Sequence, residues 1–164
     1  MHTQVGIVMG SRSEWRTMKH AGELLAQFGI PYEARIVTAN KNTNRLQDYA
    51  STAIDRGLEI IIAGSHGTSY VPGILASSTV LPVLDVPVQT DTSRPGYKKD
   101  LNSYRDTGNP VGMLTSGPEG AVNAALLAAS MLGNKYPKIR EKLAYYRGQQ
   151  QSGNARREKA RHVA

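Results

Sequence analysis

The sequence predicts an α/β fold: a three-layer sandwich in which helices cover both faces of a five-stranded parallel sheet, strand order 2-1-3-4-5. Three observations carry this. Short β-branched runs alternate with helical periodicities along the chain, the pattern of strands joined by crossover helices. One run, Ile60-Ile61-Ile62-Ala63, is apolar at consecutive positions, as suits a strand buried on both faces. It stops at Gly64, and a loop of small residues holding His66 follows, closed by Pro72-Gly73. With right-handed crossovers, this order gathers the loops after strands one, two and three at one crevice beyond the carboxyl ends, where such sheets bind ligands.

Each element has its own signal. Val5 to Met9 is a buried first strand, followed by the turn Gly10-Ser11-Arg12-Ser13-Glu14. Trp15, Met18, Gly22, Leu25 and Phe28 recur at helical spacing as one buried stripe, and Gly29 suits the C-terminal cap. Ser11 and Glu14 match a capping box. The same strand, small-residue turn and helix start also make an anion site. The turn is neither a Walker motif nor Gly-x-Gly-x-x-Gly.

Tyr32 to Val37 is the second strand. The polar loop 38–44 follows, then a helix with Leu46, Tyr49, Ala50, Ala53 and Ile54 apolar, capped by Gly57. Asn40, Asn42 and Asn44 are ordinary residues before a helix, or part of a second loop facing the crevice. A short helix is expected over Val71 to Ser78. The fourth strand is expected over 81–89, with prolines that limit its pairing. Residues 90–108 are a long polar loop, of the kind usually functional or mobile. Pro110 to Thr115 is the fifth strand. Ala121 to Leu132 is a helix apolar nearly all round, to be buried inside a subunit or between subunits. A last helix over about 137–150 leads into a polar tail. The topology is flavodoxin-like.

Composition narrows the chemistry. At 164 residues a single domain is expected, over 1–150, with a basic C-terminal tail over 151–164. Without cysteine there is no disulfide, thiolate metal site or cysteine nucleophile. No His/Asp/Glu cluster has metal-ligand spacing, and no cofactor is called for. No run is long enough to span a membrane and no signal peptide is visible, so a cytoplasmic protein is expected. The net charge of +7 sits beyond residue 134, where nine Lys/Arg face only Glu141 and Glu158. Such a tail suits a solvated helix end. It lacks the aromatic interleaving of single-strand binders, so a nucleic-acid partner is not expected.

The three loops and their flanks together resemble the PurE family, the N-carboxyaminoimidazole ribonucleotide mutases and aminoimidazole ribonucleotide carboxylases. The likeness covers roughly residues 4–150. It rests on Val-Gly-Ile-Val-Met-Gly-Ser-Arg-Ser-Glu-Trp (5–15), Ile-Ile-Ala-Gly (61–64) with Val-Pro-Gly (71–73), Leu-Pro-Val-Leu-Asp-Val-Pro-Val-Gln (81–89), Pro-Val-Gly (110–112) and Asn123 to Ala129. The resemblance implies a ribotide substrate and a homo-octamer with active sites at subunit contacts. It implies phosphate binding by Ser11 and Ser13, with Thr38 where the family has serine. Glu14 stands at the aspartate that takes the ribose hydroxyls. Gly10, Gly64, Ser65 and Gly67 complete the expected binding surface.

Departures fall where the family does its proton chemistry. Asn40 replaces the histidine that handles the proton at the imidazole carbon, and an amide does not titrate. Lys41 replaces an arginine, keeping charge but losing the planar fork. Tyr70 replaces a second histidine, while His66 stands where the family has glycine. His66, Asn40 and Tyr70 are therefore the candidate catalytic positions. Three readings follow: a family enzyme with altered carboxylating, decarboxylating or carboxylate-transferring chemistry; a mutase with a relocated histidine; or a non-catalytic ribotide-binding relative. On the bland alternative His66 is a solvated loop residue.

Overall fold

A computed structural model of the protein describes residues 2–37, 44–65, 71–88 and 108–161, the last stretch with side-chain detail through Ser152. Five strands form one parallel sheet in the order β2-β1-β3-β4-β5. They are β1 (Val5–Met9), β2 (Tyr32–Ile36), β3 (Ile60–Ser65), β4 (Val83–Pro87) and β5 (Gly112–Met113). The helices are α1 (Trp15–Phe28), α2 (Asn44–Ser51), α3 (Val71–Ser77), α4 (Gly117–Leu132) and α5 (Pro137–Arg161). The predicted sheet order holds.

The sheet separates two apolar layers. Ile7, Ile62, Leu84 and Val86 pack with α1, α4 and Ile139 and Leu143 of α5. Val8, Ile61, Ala63 and Val83 pack with α2 and α3. All five residues of β1 and all six of β3 are buried, which is why their sequences run apolar rather than alternate. β2, an edge strand, is largely exposed and carries Glu33 and Arg35, charges that discourage edge-to-edge pairing.

Glycines permit two close approaches. A Cβ on Gly120 would run into the Thr115 carbonyl oxygen, so only glycine lets the first turn of α4 pack against the connection that leads into it from β5. At the end of α1, Gly29 takes φ 70°. Its N–H reaches the Ala26 carbonyl at 2.9 Å while the Ile30 N–H reaches that of Leu25, also at 2.9 Å. That pair is a Schellman cap, as the sequence suggested.

Several element boundaries differ from expectation. Trp15, placed in the buried stripe of α1, is 36% exposed, and Glu14 is buried instead, at 3%. The reason is helical phase: the buried face runs through Thr17, Met18, Ala21, Leu24, Leu25 and Phe28, so Glu14, four residues before Met18, heads it and Trp15 falls at its edge. Ile54, read as part of the apolar set of the second helix, is exposed: α2 ends at Ser51 and turns lead on to Gly57. β5 pairs over two residues only, where six were expected. The alanine face of α4 is buried within the subunit while Leu127 is exposed. α5 continues to Arg161 rather than stopping near 150.

Candidate functional site

The sheet order makes β1 and β3 neighbours while the chain visits β2 between them, so the crossovers leave to opposite sides. A crevice opens at this point beyond the carboxyl ends. The register Val5↔Ile60 to Val8↔Ala63, continued, brings Met9 beside Gly64 and Gly10 beside Ser65 at the end of β3.

Glu14 organises the first loop. The Gly10 N–H donates to its Oε2 at 2.8 Å, and the Ser11 hydroxyl donates to its Oε1 at 3.4 Å. The Ser11 and Ser13 hydroxyls are 2.8 Å apart. This corrects the capping box. Ser11 does start the turn, with extended backbone at φ −147° and ψ 160°, but its side chain caps no backbone N–H. Glu14 reaches back to Gly10, one residue earlier than the motif requires. It lies across the crevice: a Cβ built on Gly64 would be 3.4 Å from Glu14 Oε2 and 3.0 Å from Met18 Cγ. Gly64 thus lets a buried carboxylate lie between the β1 loop and β3.

Ser65 ends β3 and is held twice by β4. Its carbonyl accepts the Val88 N–H at 2.8 Å, and its hydroxyl donates to Asp85 Oδ1 at 2.6 Å. Asp85 is 2% exposed. Burial pushes its carboxyl up to about 6, while the Ser65 hydrogen bond pulls the other way.

Of the residues singled out from the sequence, the structure gathers Gly10, Ser11, Ser13 and Glu14 in the first loop and sets Glu14 against Gly64 of the third. Ser65, 5% exposed, turns its side chain to the opposite face of β3, toward Asp85. Thr38, Asn40, Lys41, His66, Gly67 and Tyr70 lie outside the described residues. Sequence reasoning missed Asp85. The available signal was an acid inside an otherwise apolar run, Val83-Leu84-Asp85-Val86, where a strand buried on both faces has no use for a charge.

A surface groove of about 660 Å³ lined by His2, Gln4, Gly57 and Glu59 lies beyond the amino ends of β1 and β3. That is the wrong end of a parallel sheet for ligand binding. Among the described residues no cluster of His, Asp or Glu could hold a metal ion. None of their helices is long and apolar enough to cross a membrane.

Fold and crevice define a class: a doubly wound α/β protein with a polar, carboxylate-bearing loop at the switch point between β1 and β3. Comparison with known proteins narrows it. The profile of the AIR carboxylase family matches residues 4–153. The chain is 45% identical to the N5-carboxyaminoimidazole ribonucleotide mutase of Pseudomonas aeruginosa over 151 residues, 92% of each chain. It is also 45% identical to the mutase of Vibrio cholerae, over 89% of this chain and 91% of the relative. The crystal structure of Treponema denticola PurE superposes with a TM-score of 0.80 at 21% identity, over 96% of this chain and 97% of that one, a likeness of fold. The chain belongs to the AIR carboxylase family, the PurE family that its motifs resemble.

Proposed function

We propose that the protein is a carboxylate-transferring enzyme acting on an aminoimidazole ribotide or a related phosphoribosylated heterocycle, with proton handling that departs from its family's. The observation that carries this reading is the loop Gly10 to Glu14, built around a buried carboxylate at the carboxyl end of β1. Ser11 and Ser13 offer exposed hydroxyls and a helix start to a phosphate. Glu14 already engages the Gly10 N–H, so the phosphate relies on the two serines, joined by Thr38 and Lys41 of the second loop. The Glu14 carboxylate is an acceptor suited to ribose hydroxyls. Gly64, Ser65 and Gly67 line the third side.

Moving a carboxylate onto or off the ring carbon exchanges it for a proton, so the site needs a group that titrates near neutrality. Asn40 does not titrate. His66 takes that role in this reading, with Tyr70 as a further donor. The functional unit spans residues 1–150 as a cytoplasmic homo-oligomer, an octamer by family likeness, with the basic residues 151–164 dispensable for turnover.

A second reading, a mutase with its histidine relocated to His66, is favoured by the 45% identity to mutases along nearly the whole chain. Turnover assays separate the two. The protein is to be incubated with N5-carboxyaminoimidazole ribonucleotide, with its ring-carboxylated isomer, and with aminoimidazole ribonucleotide plus bicarbonate. Interconversion of the two carboxylated isomers at an ordinary enzymatic rate, about 1–10³ s⁻¹, supports the second reading over altered chemistry. Tight ribotide binding without turnover sinks both in favour of a non-catalytic relative. In an active enzyme, His66→Ala should cost about 10²–10⁴ in kcat; an unchanged rate removes His66 from the chemistry.

A further inference from the structure

Asp85 is an acid where its strand needs none. It pairs with Ala63 on one side and Met113 on the other. By alternation it shares the face of Val83, which packs in the layer of α2 and α3. Among the described residues its carboxyl has one hydrogen-bond partner, the Ser65 hydroxyl, and no ion pair. A buried carboxyl with only one of its two oxygens engaged among the described residues calls for a reason.

Among the described residues no charged or titratable group acts on it, including Arg45, Asp48 and Tyr49 of α2 on the same side of the sheet. No side chain of β3, α3 or β5 titrates. Glu14 lies against Gly64, on the other face of β3, and Glu119 belongs to α4, which packs across the sheet beside Val86. His66 follows Ser65 in sequence, outside the described residues. Ser65 pairs with Pro87, two residues closer to the carboxyl end than Asp85. Its hydroxyl therefore lies between the buried acid and the crevice end of the sheet.

We propose that Asp85 is a positioning residue of the site: it decides whether the Ser65 hydroxyl offers a bound ribotide an acceptor or a donor. With Asp85 ionised, the Ser65 O–H is committed to the carboxylate, at a length usual for a charge-assisted bond. Ser65 then turns only lone pairs toward the ligand. With Asp85 protonated, the carboxyl O–H donates to Ser65 Oγ and frees the serine proton. Ser65 can then donate to an acceptor on the ligand, such as a carboxylate or a phosphate. A proton shifts between two oxygens and no covalent bond to carbon changes. The changeover falls where this buried acid titrates, at about 6.

This inference rests on the reading that places Ser65 in a ribotide crevice, and the test separates the two. Binding of the ring-carboxylated aminoimidazole ribotide is measured by calorimetry from about pH 5 to about pH 8 in wild type, Asp85→Asn and Ser65→Ala. The ligand's phosphate has its own ionisation near 6, so wild type is compared with the variants at each pH. In Asp85→Asn the amide N–H₂ donates to Ser65 as the protonated acid does. That variant should match wild type at the acid end and bind about 10- to 100-fold tighter at the alkaline end, the worth of one hydrogen bond to a charged group. Ser65→Ala should stay weak across the range. Superimposable profiles for wild type and Asp85→Asn overturn the role of Asp85 alone. Absence of binding by wild type at every pH overturns the ribotide reading and this inference with it.

Discussion

Asp85→Asn should stabilise the folded protein, by an amount that depends on pH in a calculable way. The carboxyl is 2% exposed and has only the Ser65 hydroxyl to offset its lost hydration, so its folded-state value rises from 3.8 to about 6. Between those values the folded chain holds a proton that the unfolded chain has released, so stability falls as pH rises. The penalty is absent below 3.8 and complete above about 6. At ~1.4 kcal/mol for each tenfold change in proton affinity, it reaches about 3 kcal/mol. Asparagine keeps the shape and a hydrogen bond to Ser65 without the charge. Urea unfolding of wild type and Asp85→Asn, at one protomer concentration because an oligomer's stability depends on it, should give equal stabilities near pH 4. A gap favouring the variant should open through pH 5 and 6 and level off near 3 kcal/mol at pH 7.5. A gap that does not change with pH, or a variant less stable at pH 7.5, would refute the argument that Asp85 is buried as an uncompensated acid.

Other substitutions probe the rest of the framework. Gly120→Ala should destabilise by about 2–3 kcal/mol in thermal unfolding, because the new Cβ meets the Thr115 carbonyl and backbone must move; a stabilised variant, as helix propensity alone predicts, would show that the close approach is absent. Glu14→Ala leaves the Gly10 N–H without its charged acceptor and should cost about 1.5–3 kcal/mol of stability, together with a loss of ribotide affinity measurable by calorimetry. Tyr49→Phe removes the 2.9 Å hydrogen bond to Glu33 and should cost about 1 kcal/mol in urea unfolding. Burial and then that same bond raise the Tyr49 phenol well above its ordinary value of 10.0. Stability is therefore retained below pH 10 and lost as pH rises beyond it, and ultraviolet titration should find one tyrosine that ionises only when the protein unfolds; full ionisation in the folded state near pH 10 contradicts its burial.

What was legible in the sequence was whatever depends on local periodicity and on chain order. Uninterrupted apolar runs at β1 and β3 marked strands buried on both faces, and their alternation with helices set the 2-1-3-4-5 sheet. Gly29 announced its left-handed cap because few other residues take that conformation at low cost. The loop Gly10 to Glu14 and its serines could be picked out as a candidate from spacing and family likeness, which is as far as local pattern reaches. Tertiary structure decided the rest, since partners distant in sequence compete for the same groups. Glu14 belongs to a capping box by spacing, yet the chain folds it under the Gly10 N–H and against Gly64, and Trp15 turns outward. Asp85 reads as one acid in a strand. Only the β3–β4 register, which sets it beneath Ser65 and twenty residues away along the chain, makes the two a hydrogen-bonded pair at the crevice. Periodicity reports which face a residue shares; it carries no information on which distant hydroxyl waits there, and burial then gives that single contact its leverage over the proton.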